Sequence, residues 1–413
     1  MKNIRLIKTI YCCITLISIL CVCVTVTRFS DIFSGLFYMW CCFAFIMLAY
    51  KWNRRPSSLG RYICSSNKKT PQFFLIVSVA IWFLVIVVAK FYTGQMPWNV
   101  IFNIKNGISN YYIYQKHFAE ANIAIMGIKK FPYVFMNFFA QALFIYSYIH
   151  CLIVEKSGRE FYGFLISISL AKLYFGLARG TNFEMFEVAF ITIYCYWNST
   201  KRKISLGNVI KIGIGILLCV VLFSMVISMR GVTDTYVKIS GGIYTDQMKV
   251  IPRYFPMLSK IIALLSAYFA FGVYNISYYF NHFFMATIKN GICGIVPMGN
   301  LIIKEGIPNT SNTDFLHSVC WTPDIMQIIS VFGIIVCPLI AFVMGRLLKM
   351  IDYVNKDDRK DDLLEMVKFY IVYELFSFPV GNFIGTSSSS KLMIIALTCV
   401  IFIKTYRTKE LEN

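Results

Sequence analysis

Arg179 is the residue best placed to do chemistry. It lies in Gly176-Leu177-Ala178-Arg179-Gly180, a tight connection between two apolar runs. A charge at the edge of such a run is costly enough to be a functional candidate by default. A guanidinium there suits phosphate oxygens, which its planar fork binds two at a time. Glu184 and Glu187 follow, one helical turn apart, within pairing range of it. Arg230 ends a later run and is followed by Gly231; the segment beyond carries Lys238, Lys249, Arg253 and Lys260 against Asp234 and Asp246. Arg179, Arg230, Arg253 and Lys249 are the candidate binding set for a phosphate-bearing ligand. Lys105, Lys116, Lys129 and Lys130 extend the same cationic face. The candidate catalytic pair is His317 with Asp314, three residues apart in Asn312-Thr-Asp314-Phe-Leu-His317. A neutral imidazole takes a proton from a hydroxyl, and a carboxylate orients it. The plainer readings are a snorkelling headgroup contact for Arg179, an ordinary loop histidine for His317, and a solvated surface for the lysines.

The elements that must position these residues are set by composition. Hydrophobic residues make up 58% of the 413, charged residues 15%, and the mean hydropathy is +0.64. A soluble domain is about 45–50% apolar and about 25% charged, so the chain is expected to be an integral membrane protein of all-α, polytopic architecture. The excess of 40 Lys and Arg over 20 Asp and Glu is read as basic cytoplasmic loops, not as a nucleic-acid surface. The 14 cysteines lie mostly in apolar runs, no C-x-x-C pair occurs, and there are four histidines, so no metal or other cofactor is expected. Cys293 and Cys320 fall in a polar region, where a disulfide and free thiols are both open.

Runs of bilayer-crossing length occur at roughly 6–27, 32–50, 72–92, 132–154, 161–178, 183–197, 209–228, 325–348, 363–383 and 392–403. The first is read as a retained span, since it lacks a small-residue cleavage site. With ten alternating spans, Lys2, Arg5 and Lys8, the basic cluster 51–69, Lys201 to Lys203 and the tail with Lys404, Arg407 and Lys409 all face one side. That side is cytoplasmic and holds both termini. Two external segments are too long to be mere connectors, 93–131 and the loop 229–323. The expected organisation is an N-terminal bundle of seven spans over 1–228, the large external loop 229–323, and C-terminal spans over 324–413. Residues 261–280 are aromatic and uncharged. They are read as an interfacial or re-entrant helix, with 291–303 as a second half-pass and a twelve-span count as the alternative.

No phosphate-binding G-x-x-x-x-G-K-[ST], no G-x-S-x-G and no H-E-x-x-H is present. The first external loop holds only Asp31 as an acid. The remaining pattern resembles the bacterial O-antigen (oligosaccharide repeat unit) polymerases: ten or more spans, cytoplasmic termini, the Gly-x-x-Arg-Gly turn and a dominant external loop opening on an arginine. Arg230 with Gly241 reproduces an R-x10-G spacing found in some members, and Asp324, Phe332, Gly333 and Gly345 resemble the acidic-then-Phe-Gly helix that follows the loop. No second R-x10-G exists, since Leu264 stands eleven positions after Arg253. The resemblance implies an inner-membrane glycosyltransferase, with its active site facing the periplasm. It would transfer a growing glycan from undecaprenyl diphosphate to a fresh lipid-linked repeat unit. The implied partners are the lipid-linked oligosaccharide, the bilayer and a chain-length regulator, with no nucleic acid. An O-antigen ligase, with the same donor and lipid A–core as acceptor, is the nearest alternative, and a repeat-unit flippase a more distant one.

Overall fold

The computed structural model describes residues 2–52, 70–106, 108–155, 161–199, 238–240, 243–295, 323–325, 328–329, 333–354, 361–381 and 387–410. The first helices are α1 (Lys2–Val24), α2 (Ser30–Lys51), α3 (Pro71–Thr93), α4 (Pro97–Lys105) and α5 (Asn110–Glu120). Next come α6 (Phe131–Ile149), α7 (Tyr162–Arg179), α8 (Phe183–Ser199), α9 (Val250–Tyr254) and α10 (Pro256–Phe269). The last are α11 (Phe271–Ile295), α12 (Val336–Val354), α13 (Asp362–Ser377) and α14 (Ser388–Glu410). A short antiparallel ribbon, β1 (Lys238–Ser240) and β2 (Ile243–Tyr244), is the one exception to an otherwise helical architecture among the described residues. The expected all-α, membrane-type fold is met at that level. Among the described residues, Lys2–Val24, Ser30–Lys51, Pro71–Thr93 and Gly127–Val154 are long and apolar enough to cross a bilayer. A bent pair, Pro256–Phe269 with Phe271–Met285, makes a fifth if it is one span.

The chain divides into two compact units. The first takes in Met1–Ser57, Thr233–Tyr353 and Ile371–Thr386. In it α10 packs against α1, and α11 against α2. Small residues allow the closest approaches: a Cβ on Gly35 would lie 2.0 Å from the Val273 carbonyl oxygen, and one on Gly345 2.6 Å from that of Ile46. The aromatic stretch 261–280 forms the two arms of the pair, which bends by 57° at Ala270. Ile262, Leu264, Tyr268, Phe271, Val273 and Ile276 are buried, so the pair belongs to the core of this unit. Its bend is that of a broken span or a re-entrant loop. The apolar run 325–348 is not one helix. Gly333 takes a positive φ of 79°, and α12 starts only at Val336, with Pro338 in its first turn.

The second unit takes in Ser58–Val232, Val354–Tyr370 and Ser387–Asn413. Thr70 caps α3 by accepting from the Phe73 N–H, Pro71 opens it, and Gly94 closes it in the left-handed region. α3 packs against α6 and α7, α7 against α8, and α14 against α6. A π-helical turn, His150–Val154, prolongs α6. The described part of segment 93–131 forms α4, α5 and two 3-10 turns, tied at their root by Asn103, whose amide donates to Gln95 (2.7 Å) and Asn110 (3.0 Å). Trp98, Ile101 and Phe102 on α4 and Ile125 and Ile128 beyond α5 are exposed, which suits a segment at headgroup level.

Candidate functional site

The α7–α8 turn is shaped by glycine. Gly180 ends α7 with φ 61°, and α5 lies so close that a Cβ there would come within 2.5 Å of the Tyr111 backbone nitrogen. Gly176, one turn earlier, leaves room for the Glu184 carboxylate; its own Cβ would meet that side chain at 3.2 Å. A left-handed conformation costs a residue with a Cβ roughly 1–2 kcal/mol, and here backbone contact adds to it. Gly180→Ala is therefore expected to lower the thermal unfolding midpoint of the purified protein. Gly163→Ala, where a Cβ meets nothing within 4 Å, is the control and should leave it unchanged.

The turn holds Arg179 in a fixed pose. Its Nη2 pairs with the buried Glu184 carboxylate and donates to the Thr181 hydroxyl at 3.2 Å, and Thr181 in turn donates to Glu184 at 2.8 Å. The guanidinium lies 4.5 Å from the Phe175 ring centroid and 6.0 Å from that of Tyr114 on α5. Burial raises the pKa of the Tyr114 phenol, and the nearby Arg179 charge partly offsets the rise. The Arg179 Nε is buried and, among the described residues, donates to nothing. The Arg179 side chain is 21% exposed, and a guanidinium with one nitrogen engaged by a carboxylate keeps further N–H donors that suit an anionic ligand.

A second, deeper layer lies on the same two helices. Lys172, two turns before Arg179, pairs with Glu187 at 2.9 Å, and both side chains are almost wholly buried. Gln141 on α6 donates to the other Glu187 oxygen at 2.9 Å, and its amide nitrogen is also within reach of the Tyr370 and Ser390 hydroxyls at 3.3 and 3.1 Å. Asn137, one turn before Gln141, donates to Ser389 at 3.1 Å. The sequence reading found Arg179 and both glutamates but passed over Lys172. The cost argument that singled out Arg179 applies more strongly to a lysine in the middle of the run 161–178. Gln141 carries no charge and had no such signal.

His150 was also passed over. It is fully buried on the π turn, with Nδ1 3.0 Å from Asp362 and Nε2 3.1 Å from Glu155. The two carboxylates bracket the ring from opposite edges. Among the described residues no group of three or more His, Cys, Asp and Glu is arranged to hold a metal ion.

The other candidate residues divide. The Lys249 ammonium donates to the carbonyls of Val22 (2.6 Å), Thr25 and Thr27 (3.3 Å), capping the end of α1. Arg253 is exposed on α9, 5.6 Å from the Tyr254 ring. Arg230, Asp314 and His317 lie outside the described residues, as do Cys320, Phe332 and the run 209–228; Cys293 falls on α11. Comparison with protein-family models, with curated proteins and with solved structures finds no match.

Proposed function

We propose that the chain is an O-antigen polymerase. It is a ten-span inner-membrane glycosyltransferase with cytoplasmic termini that moves a growing glycan from undecaprenyl diphosphate onto a new lipid-linked repeat unit at the periplasmic face. The observation that carries this reading is Arg179, a partly exposed guanidinium fixed by Glu184 and Thr181 beside Phe175 and Tyr114 at the end of an apolar helix. In such a transfer the glycosidic bond to the diphosphate breaks, and negative charge grows on the departing phosphate oxygens. A cation already fixed by Glu184 and Thr181 needs no reorganisation as that charge develops, so it lowers the barrier as well as binding the donor. Arg253, exposed on its short helix, and Arg230 are the further guanidiniums that the sequence offers for phosphate. His317, oriented by Asp314, is the base for the acceptor hydroxyl. The exposed aromatic residues of α4 and α5, Trp98 and Tyr112, suit sugar stacking at the membrane surface.

A clean deletion tests this. Loss of a polymerase leaves lipopolysaccharide as core plus one repeat unit on a gel. Loss of a ligase leaves bare core with lipid-linked polymer, and an unchanged ladder removes both readings. The topology has its own check: a reporter fused after Lys69 or Lys203 should score cytoplasmic, and one fused at Gly242 periplasmic. A cytoplasmic signal at Gly242 overturns the sidedness and every site assigned to the outer face.

A further inference from the structure

Arg179 is steadied from outside its own turn by α5, a helix that needs tethers to hold its place. It has 11 residues, a length at which a helix is marginal in water without tertiary contacts. At its start the Ser109 hydroxyl accepts from the Tyr112 N–H at 3.4 Å, and the Asn110 amide donates to the Val100 carbonyl on α4, also at 3.4 Å. Near its end stands His117, half-buried and without a part in the proposed reaction. Between the two, α5 passes over the α7–α8 turn. The Tyr111 backbone fills the space at Gly180, and the Tyr114 ring faces the Arg179 guanidinium.

His117 meets the C-terminal end of α3. Its Nε2 lies 3.3 Å from the Phe91 carbonyl oxygen, and since a carbonyl only accepts, Nε2 carries a proton and donates it. Phe91 is in the last turn of α3, where carbonyls lack a donor from the helix itself. The Gly94 N–H goes to the Lys90 carbonyl and the Gln95 N–H to the Thr93 hydroxyl, which leaves Phe91 to the imidazole. Gly94 makes the contact possible: a Cβ there would lie 2.9 Å from His117 Nδ1 and 3.0 Å from Cε1. The ring occupies the place of a missing side chain. Tyr114 stands one turn before His117, and Phe118 packs on Tyr114 with ring centroids 5.7 Å apart. A shift of His117 is therefore a shift of the ring that faces Arg179.

We propose that His117 is a positioning residue for Arg179: it docks α5 on the end of α3 and so holds the Tyr114 ring against the guanidinium, in the pose that meets the donor diphosphate. This rests on the polymerase reading and adds to it a residue that never touches the substrate. The working part is the hydrogen bond to Phe91. An amide of similar reach should replace the imidazole, and a hydrocarbon side chain should not.

The test is a double-mutant cycle on the full chain purified in detergent, with turnover of lipid-linked repeat units measured per folded protein. His117→Leu should lower kcat at saturating donor by roughly fivefold, the scale of one hydrogen bond. His117→Gln should recover most of that loss. In the Arg179→Lys background His117→Leu should cost little more, because the planar fork that the pose aims is gone. A second readout needs no activity. Trypsin cleavage after the exposed Lys116, followed by mass spectrometry, should run severalfold faster in His117→Leu than in the parental protein or in His117→Gln. Parental turnover by His117→Leu, equal fold-losses in the two backgrounds, or unchanged cleavage at Lys116 each overturn the proposal. Should His117→Leu fail to fold, His117→Asn, whose amide is too short to reach Phe91, takes its place in the same cycle. Absence of turnover by the parental protein would instead overturn the polymerase reading, and this proposal with it.

Discussion

On the proposed reading, Arg179→Ala is expected to abolish long-chain glycan in cells. In the purified protein the expected loss of polymerisation is on the order of 10²–10³ in rate, the scale for removing one fixed donor from a developing anion. The alanine also strands Glu184, which is 1% exposed, so the variant has a structural effect that must be separated from the chemical one. Two companions do so. Arg179→Lys keeps a charge near Glu184 but lacks the planar fork, and should restore folding fully and polymerisation only in part. Arg179→Met with Glu184→Gln removes both charges, and should restore the thermal unfolding midpoint without restoring activity. Polymerisation at the parental rate by the lysine and the double variant alike would make Arg179 a partner of Glu184 and nothing more. The readouts are glycan length on a gel and turnover of purified lipid-linked repeat units.

The largest expected effect on stability belongs to the deeper pair. Lys172→Met leaves Glu187 buried beside Gln141 with no counter-charge, and Glu187→Ala leaves a buried ammonium. Removing one member of a buried pair costs about 3–5 kcal/mol. Each single variant should accumulate poorly and unfold at a clearly lower temperature. Lys172→Met with Glu187→Gln should recover most of that loss, because the glutamine keeps its contact with Gln141 and no charge remains in the apolar interior. A single variant as stable as the parental protein would mean that water reaches this layer, and its proximity to Arg179 would then point to a functional role.

How much of this was legible in the sequence depends on the residue. The helices that begin or end on strong local signals were read to within a few positions: α3, between the Thr70-Pro71 cap and Gly94, is the clearest case. The Arg179–Glu184 pairing was open to view because charges at the edge of an apolar run are conspicuous and their spacing spans a turn. What composition cannot show is where one polar group meets another across hundreds of residues. Gln141 meets Ser390, and His150 meets Asp362, through packing of distant helices, and neither contact leaves a local pattern. The carbonyl contacts of Lys249 were hidden for a related reason. A lysine in a polar loop looks the same whether it faces water or the carbonyl end of a helix more than two hundred residues earlier. Hydropathy also misjudged the run 325–348, since a window average is blind to the positive φ that Gly333 adopts.

The π turn at the end of α6 has a consequence for register. A π turn holds one residue more than an α turn in its place would. An inserted residue advances everything after it by about 100° around the axis. His150 opens that turn, and Glu155 follows it directly. Without the extra residue Glu155 would point to a different face, and the imidazole would keep Asp362 but lose its second carboxylate. Deleting one residue from 151–154 is therefore the change that would give the helix a plain α register, an alteration of frame that no point substitution can imitate.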